Sequence, residues 1–364
     1  MRELYFGPPH SKYRMPYLPA LDGLRAIALL IVMLFHAKAP FANGGYLGVD
    51  MFFVLSGFLI TALLQEEITK SGTISLGRFY LHRLARLMPP LLLLVAIYLT
   101  FAPILWPKYE GHAPDATLAA LYLSDYSVAF WGSPKYLRHT WSLSVEEHLY
   151  LMWPLALLAL RPLAPNRLLA VLIGLYVVAT AWRIYCATEQ PWAWVYYRFD
   201  TRVSGTVLGS ALAVAWRLGS FQPQRARFSW APLAMIITVV GLARWRSSLS
   251  LQVGTMAVEL LTAWMIVLVL SSTERIKWLE RPALVYLGKI SYGAYLFHYP
   301  IALYLRPHTE WLLTMLVGGG VSLLIAAASY HSIEAWMRRI RKSRSSRYVD
   351  RTPDVVDVEV VGRT

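Results

Sequence analysis

The chain has 364 residues, of which 57% are hydrophobic and only 15% charged, and its mean hydropathy is +0.44. Such a composition excludes an ordinary water-soluble chain and points to an all-α polytopic membrane protein. The net charge of +14 does not require nucleic acid, since Lys and Arg gather in cytoplasmic loops in this class, and the single Cys186 excludes an internal disulfide.

Apolar runs bounded by charge, Pro and Gly predict ten spans, over 19–38, 46–64, 86–105, 142–160, 167–185, 203–216, 229–243, 253–272, 284–305 and 311–333. With the N-terminus inside, 24 Lys and Arg fall on inner segments and 10 on outer ones. This asymmetry predicts that both termini are cytoplasmic. The expected organisation is a cytoplasmic segment 1–18, a membrane domain 19–337, and a basic, partly disordered cytoplasmic tail 338–364. A cleavable leader in place of the first span is disfavoured, because Pro40 would follow the cut and Asp22 and Arg25 interrupt the approach. No repeat of fixed period is visible.

The first span, PALDGLRAIALLIVMLFHAKA, carries Arg25 near its start and His36 near its end. Eleven residues at about 100° each place both on one helix face, about 16 Å apart along the axis, with Leu29 and Val32 between them. Ionisable groups inside a span usually face a bundle interior, so the helices are expected to surround a central polar cavity. On the inner side, FYLHRLARLMPP puts Arg83 and Arg86 on one face, where guanidinium forks match phosphate oxygens. Positive-inside topology explains those arginines equally well, and Glu334 at the inner end of the last span is a pairing candidate. On the outer half lie His36, Asp50, and HTWSLSVEEHLY with the adjacent Glu146 and Glu147, for which Ser142 or Ser144 is an expected cap. Arg198, Asp200, Tyr295 and His298 complete the outer set, although His298 beside Tyr299-Pro300 also suits packing at a kink. Trp131, Trp192, Trp194 and Tyr196 suit either sugar stacking or an interfacial aromatic belt.

A ligand with phosphates at the inner mouth and a long thin arm would present its reactive end about three turns up, beside His36. Coenzyme A thioesters have that shape. A neutral imidazole near a carboxylate is suited to take a proton from a hydroxyl attacking a carbonyl, so Glu146 or Glu147 is expected beside His36, the choice between them open. No Ser or Cys sits in a GxSxG setting, which favours direct attack by the acceptor over a serine acyl-enzyme and leaves an acyl-histidine open.

Six pieces, in order, carry a resemblance: LDGLRAIALLIVMLFHA, GYLGVDMFFVLSGFLI, FYLHRLARLMPP, HTWSLSVEEHLYLMWP, YRFDTRVSGTVLG and LGKISYGAYLFHYP. The sequence resembles acyltransferase family 3, integral-membrane O-acyltransferases that act on surface polysaccharides, lipid-linked glycans, signalling oligosaccharides and some macrolides. The resemblance implies an acyl-transfer site at Arg25 and His36, donor binding at Arg83 and Arg86, and an acidic partner such as Glu146 or Glu147. It departs at His148-Leu149, at Ser204 and at Ile333-Glu334-Ala335-Trp336, which bears on the acceptor more than on the reaction. The implied activity is transfer of an acyl group, in the first instance acetyl, from cytoplasmic acyl-CoA to a hydroxyl of a glycan or glycosylated metabolite. No permanently bound cofactor and no metal are expected, and Asp50, Arg198, Asp200, Tyr295 and His298 are expected to support the acceptor side. Rival readings are a transporter or flippase for a lipid-linked sugar or small anion, and a non-catalytic assembly subunit. Acceptor identity, acyl length, oligomeric state and side of product release are not written in the sequence.

Overall fold

The computed structural model describes residues 16–225 and 228–336. Expectations for most of the segment 1–18, for the tail 338–364 and for the Glu334 side chain lie outside the described residues. Among the described residues every regular element is a helix. The first is α1 (Pro19–His36), which Pro19 opens because its missing N–H has no intrahelical partner to lose at a first turn. Next come α2 (Gly48–Ser71), closed by Gly72 at φ 73°, and α3 (Leu76–Leu105). Short helices α4 (His112–Ala120) and α5 (Ser124–Trp131) lead to α6 (Trp141–Leu160) and α7 (Pro165–Glu189). After α8 (Trp192–Tyr196) and α9 (Phe199–Arg202) follow α10 (Ser204–Arg217), α11 (Ala231–Leu242) and α12 (Thr255–Ser271). The last are α13 (Pro282–Lys289), α14 (Ser291–Leu305), α15 (Trp311–Leu313) and α16 (Gly319–Ser329).

Six helical stretches are long and apolar enough to cross a bilayer: Pro19–His36, Gly45–Ser71, Leu76–Leu105, Pro165–Glu189, Ser250–Ser271 and Trp311–Ser332. The other four predicted spans are also helical, yet α10, α11 and α14 have 14, 12 and 15 residues. At 1.5 Å per residue each falls short of a core about 30 Å thick, and α6 dilutes its apolar run with Glu146, Glu147 and His148. The predicted break before 86 does not occur. Helix α3 runs 30 residues straight through Pro89 and Pro90, so the arginine-bearing stretch and the apolar run form one rod. The predicted single span 284–305 is instead interrupted at Ile290, between α13 and α14.

Helix α2 is the hub: 78% of its apolar window is buried, against 28% for α3 and 22% for α7, which turn most of their surface outward. Its contact with α10 is set by two glycines, one on each helix, that face the backbone of the opposite helix. A Cβ on Gly57 would lie 2.0 Å from the Thr206 carbonyl oxygen, and one on Gly209 would lie 2.0 Å from that of Val54. Such close approach lets van der Waals contact hold helices together where lipid offers no hydrophobic drive. Helix α1 packs on the α13–α14 pair in the same manner, Gly288 lying against the Asp22 carbonyl. This packing brings the Arg25–His36 face of α1 against α14.

Candidate active site

At one end of the bundle, residues of α1, α2, α3, α6 and α14 enclose a cavity of about 390 Å³. Arg25, Arg83 and Arg86 line it together with Ser56, Glu146 and Tyr150. The Arg83 guanidinium sits 4.0 Å from the Tyr150 ring centroid, a cation–π contact that fixes it without neutralising it. Arg25 donates from Nε to Ser291 Oγ at 3.3 Å. Glu146 accepts from Ser56 Oγ at 2.6 Å and from the Tyr150 hydroxyl at 3.3 Å. Arg78 is different: it pairs with Glu67 at 2.6 Å. Among the described residues, no carboxylate comes within ion-pair distance of Arg25, Arg83 or Arg86. A smaller cavity of about 40 Å³ shares Arg25, Glu146 and Tyr292 with the first, and reaches Ser142 and Tyr295 between Phe52 and Phe53.

Beyond Tyr295, toward the other end, the polar groups are rings. His36 Nδ1 lies 2.8 Å from His298 Nε2, and His298 Nδ1 lies 2.6 Å from the Tyr295 carbonyl oxygen. A carbonyl only accepts, so neutral His298 carries its proton on Nδ1 and offers the Nε2 lone pair to His36. His36 therefore donates from Nδ1, and its Nε2 is left as a bare lone pair. A third imidazole, His139, donates from Nε2 to the Leu296 carbonyl at 2.9 Å. That carbonyl is free because Pro300, four residues on, has no N–H to give it. Tyr299 caps the group, edge-on to His36 and stacked on His139, each with centroids 4.8 Å apart.

The structure thus keeps Arg25 and His36 on one face but does not place a carboxylate beside His36. Glu146 stands at the arginine level, and Glu147 lines neither cavity, its buried Oε1 having no hydrogen-bond partner. The reason is depth. Glu146 is seven residues below His139, about 10 Å down the chain that begins at the histidine end. Asp50 does not reach the site either, since it pairs with the fully buried Arg202 at 2.6 Å. Arg198 and Asp200 pair with each other through two bonds of 2.9 and 2.5 Å. Burial favours the neutral acid, but hydrogen bonds from Arg198 and Trp182 outweigh it and hold the Asp200 carboxyl below its ordinary value. Neither Ser142 nor Ser144 caps α6: Ser142 Oγ meets the Tyr295 hydroxyl at 2.7 Å, and Ser144 Oγ accepts from the Ser124 amide at 3.1 Å. Tyr196 is buried, stacked on Trp192 at 4.4 Å, whereas Trp131 and Trp194 stay exposed. Sequence reasoning did not assign a role to His139 or to the buried Arg183–Glu259 pair at 3.0 Å. The His-Tyr-Pro triplet was the available signal for the first, because a proline in a span leaves a carbonyl seeking a donor.

A family model described as an acyltransferase domain matches residues 18–331. The chain is 30% identical over 357 residues to the peptidoglycan O-acetyltransferase OatA of Listeria monocytogenes, covering 90% of this chain and 57% of the relative. It is likewise 30% identical over 366 residues to the O-acetyltransferase OatA of Staphylococcus aureus, covering 90% and 58%. To the putative peptidoglycan O-acetyltransferase YrhL of Bacillus subtilis it is 31% identical over 362 residues, covering 90% and 56%. The chain therefore spans a little over half the length of these relatives. No solved structure matches it. With the match running from the start of α1 through the last helix, the chain belongs to acyltransferase family 3.

Proposed function

We propose that this chain is a multi-pass membrane O-acetyltransferase that moves acetyl from acyl-CoA to a glycan hydroxyl. In this reading ten helical runs, the short α10, α11 and α14 completed by the segments that flank them, cross the plasma membrane as one domain over 19–337, the termini are cytoplasmic, and the arginine end faces the cytosol. The observation that carries it is the alignment, on one face of α1, of an un-neutralised arginine cavity with an imidazole whose Nε2 is bare. Arg25, Arg83 and Arg86 would hold the donor's phosphates, and the arm would pass Ser142 and Tyr295 toward His36. The smaller cavity must widen for that passage, and the ring side chains of Tyr292 and Phe52 are among those that line it.

The acceptor hydroxyl oxygen attacks the thioester carbonyl carbon while His36 Nε2 takes the hydroxyl proton. A C–O bond forms, the C–S bond of the tetrahedral intermediate breaks, and the thiolate recovers the proton from the imidazolium. His298 acts as the positioning residue that fixes the tautomer of His36, the part a carboxylate plays in hydrolase triads. Glu146 supports Arg25 and Arg83 at the donor end. Asp50 and the Arg198–Asp200 pair shape the scaffold around the acceptor side.

The test incubates purified protein in lipid nanodiscs with radiolabelled acetyl-CoA and cell-envelope glycans, followed by mass spectrometry of the products. The expected result is label on the glycan and free coenzyme A. Movement of a sugar across the membrane with no consumption of acetyl-CoA would replace this reading with transport.

A further inference from the structure

Around the histidine end stand arginines with no counter-charge. Arg138 precedes His139 and is half-buried; its NH2 group donates to the Gly132 carbonyl at 3.3 Å, but its Nε is enclosed and unpartnered. Arg306, just past α14, is also half-buried, and its charge acts on both His36 and Tyr299. The charge of Arg138 also acts on Tyr299. Among the described residues no carboxylate comes within ion-pair distance of either. A shelf of rings lies beside His36: Trp245, 37% exposed, contacts Phe35 with centroids 5.1 Å apart, and Phe35 contacts His36 at 5.2 Å. Apolar ring faces of this kind suit the C–H face of a pyranose.

We propose that this outer vestibule binds a glycan acceptor carrying a negative charge, a carboxylate or a phosphate, close to the hydroxyl that is acetylated. The inference rests on the acyl-transfer reading for its direction and adds the acceptor's chemical class. Two half-buried guanidiniums without a counter-charge are costly in a membrane protein, and an anion that docks between them and the ring shelf relieves that cost. Snorkelling to lipid phosphates is the competing use of an interfacial arginine. It fits the exposed Arg244 and Arg246 better than it fits Arg138, whose Nε is sealed inside, or Arg306, whose field falls on the catalytic ring. Held there, the anion would also draw the acceptor's ring across Trp245 toward His36.

The experiment uses the full chain in nanodiscs of uncharged phosphatidylcholine, with no acyl donor present. Calorimetric titration compares three probes: the N-acetylglucosamine–N-acetylmuramic acid disaccharide, N-acetylglucosamine 1-phosphate and neutral chitobiose. At least one anionic probe is expected to bind about tenfold tighter than chitobiose, the scale of a charge-assisted contact. Arg138→Gln with Arg306→Gln should reduce that preference to less than about twofold, and Arg138→Lys with Arg306→Lys should keep most of it. Equal binding of charged and neutral probes, no binding of any of them, or a preference that survives the double Gln variant overturns the proposal. So does a Gln variant whose only effect is lost stability in discs containing phosphatidylglycerol, which would assign the arginines to lipid. Because no donor is present, failed acetyl-CoA turnover leaves this result standing, and selective turnover without probe selectivity removes this inference alone.

Discussion

Buried charge on the α2–α7–α10–α12 side of the bundle and buried charge around the cavity are treated in opposite ways. On the first side Asp50 pairs with Arg202 at 2.6 Å and Arg183 with Glu259 at 3.0 Å, all four side chains fully enclosed. Ser204 and Thr255 supply further hydrogen bonds, at 2.6 Å to Glu259 and 3.2 Å from Arg202. Around the cavity Arg25 is held by the Ser291 hydroxyl and Arg83 by the Tyr150 ring, and Glu146 shares the lining with them and Arg86 without coming within ion-pair distance. Charges that tie helices together are spent on one another, and Arg25, Arg83 and Arg86, which face the cavity, are left available to a ligand. Substitutions should therefore separate cleanly, one group lowering stability and the other lowering turnover.

The largest effect is expected at the histidine end. His36→Ala should lower acetyl transfer by about 10²–10⁴-fold, the usual contribution of a general base, while the thermal midpoint stays within a few degrees of wild type. His298 sharpens this. His298→Gln keeps an oxygen to accept from His36 Nδ1 and should retain more activity than His298→Leu, and equal losses in the two would argue against a positioning role. On the opposite side, Arg202→Met strands Asp50 in the interior and should cost about 3–5 kcal/mol of stability. Asp50→Leu combined with Arg202→Met should recover most of that, as followed by thermal unfolding in nanodiscs. If the double variant is as unstable as the single one, the pair is more than mutual neutralisation. At the cavity, Arg86→Gln should raise KM for acetyl-CoA about tenfold with kcat kept, the scale of one lost charged hydrogen bond. An unchanged KM would make Arg86 a topological charge and dissolve the contrast drawn above.

The helices themselves were legible, because spans announce their length and a 100° period put Arg25 and His36 on one face before any coordinates. Partnerships were not. His36 meets His298 across 262 positions and Arg202 meets Asp50 across 152, and nothing in a single sequence records which helices touch. The carboxylate was misplaced for the same reason. Adjacent glutamates near the start of α6 read as sitting level with His36, yet the descent of the helix carries Glu146 to the level of Arg25. The interruption at Ile290 was hidden because its neighbour Gly288 is there for close approach to the Asp22 carbonyl, a tertiary demand. His298, which a kink explained adequately from sequence, gains its meaning only from the nitrogen that faces it.

The smallest effect is expected where the two treatments of charge meet, at the Arg198–Asp200 pair, whose arginine is buried and whose carboxylate is a third exposed. It is mutually neutralised like the buried pairs, yet solvent reaches it, so its worth is that of a surface pair, about 1 kcal/mol or less. Asp200 titrates below its ordinary value in the folded chain, held there by Arg198 and Trp182 against the effect of burial. Its contribution is then complete above the ordinary carboxylate value of about 3.9 and is lost as pH falls through the lower folded value. Asp200→Asn should accordingly lower the thermal midpoint slightly at pH 7, and the gap to wild type should close on acidification below about pH 4. A gap that persists at low pH would mean that the second accepting oxygen, which Arg198 uses and an amide NH2 cannot replace, matters more than the charge of the carboxylate.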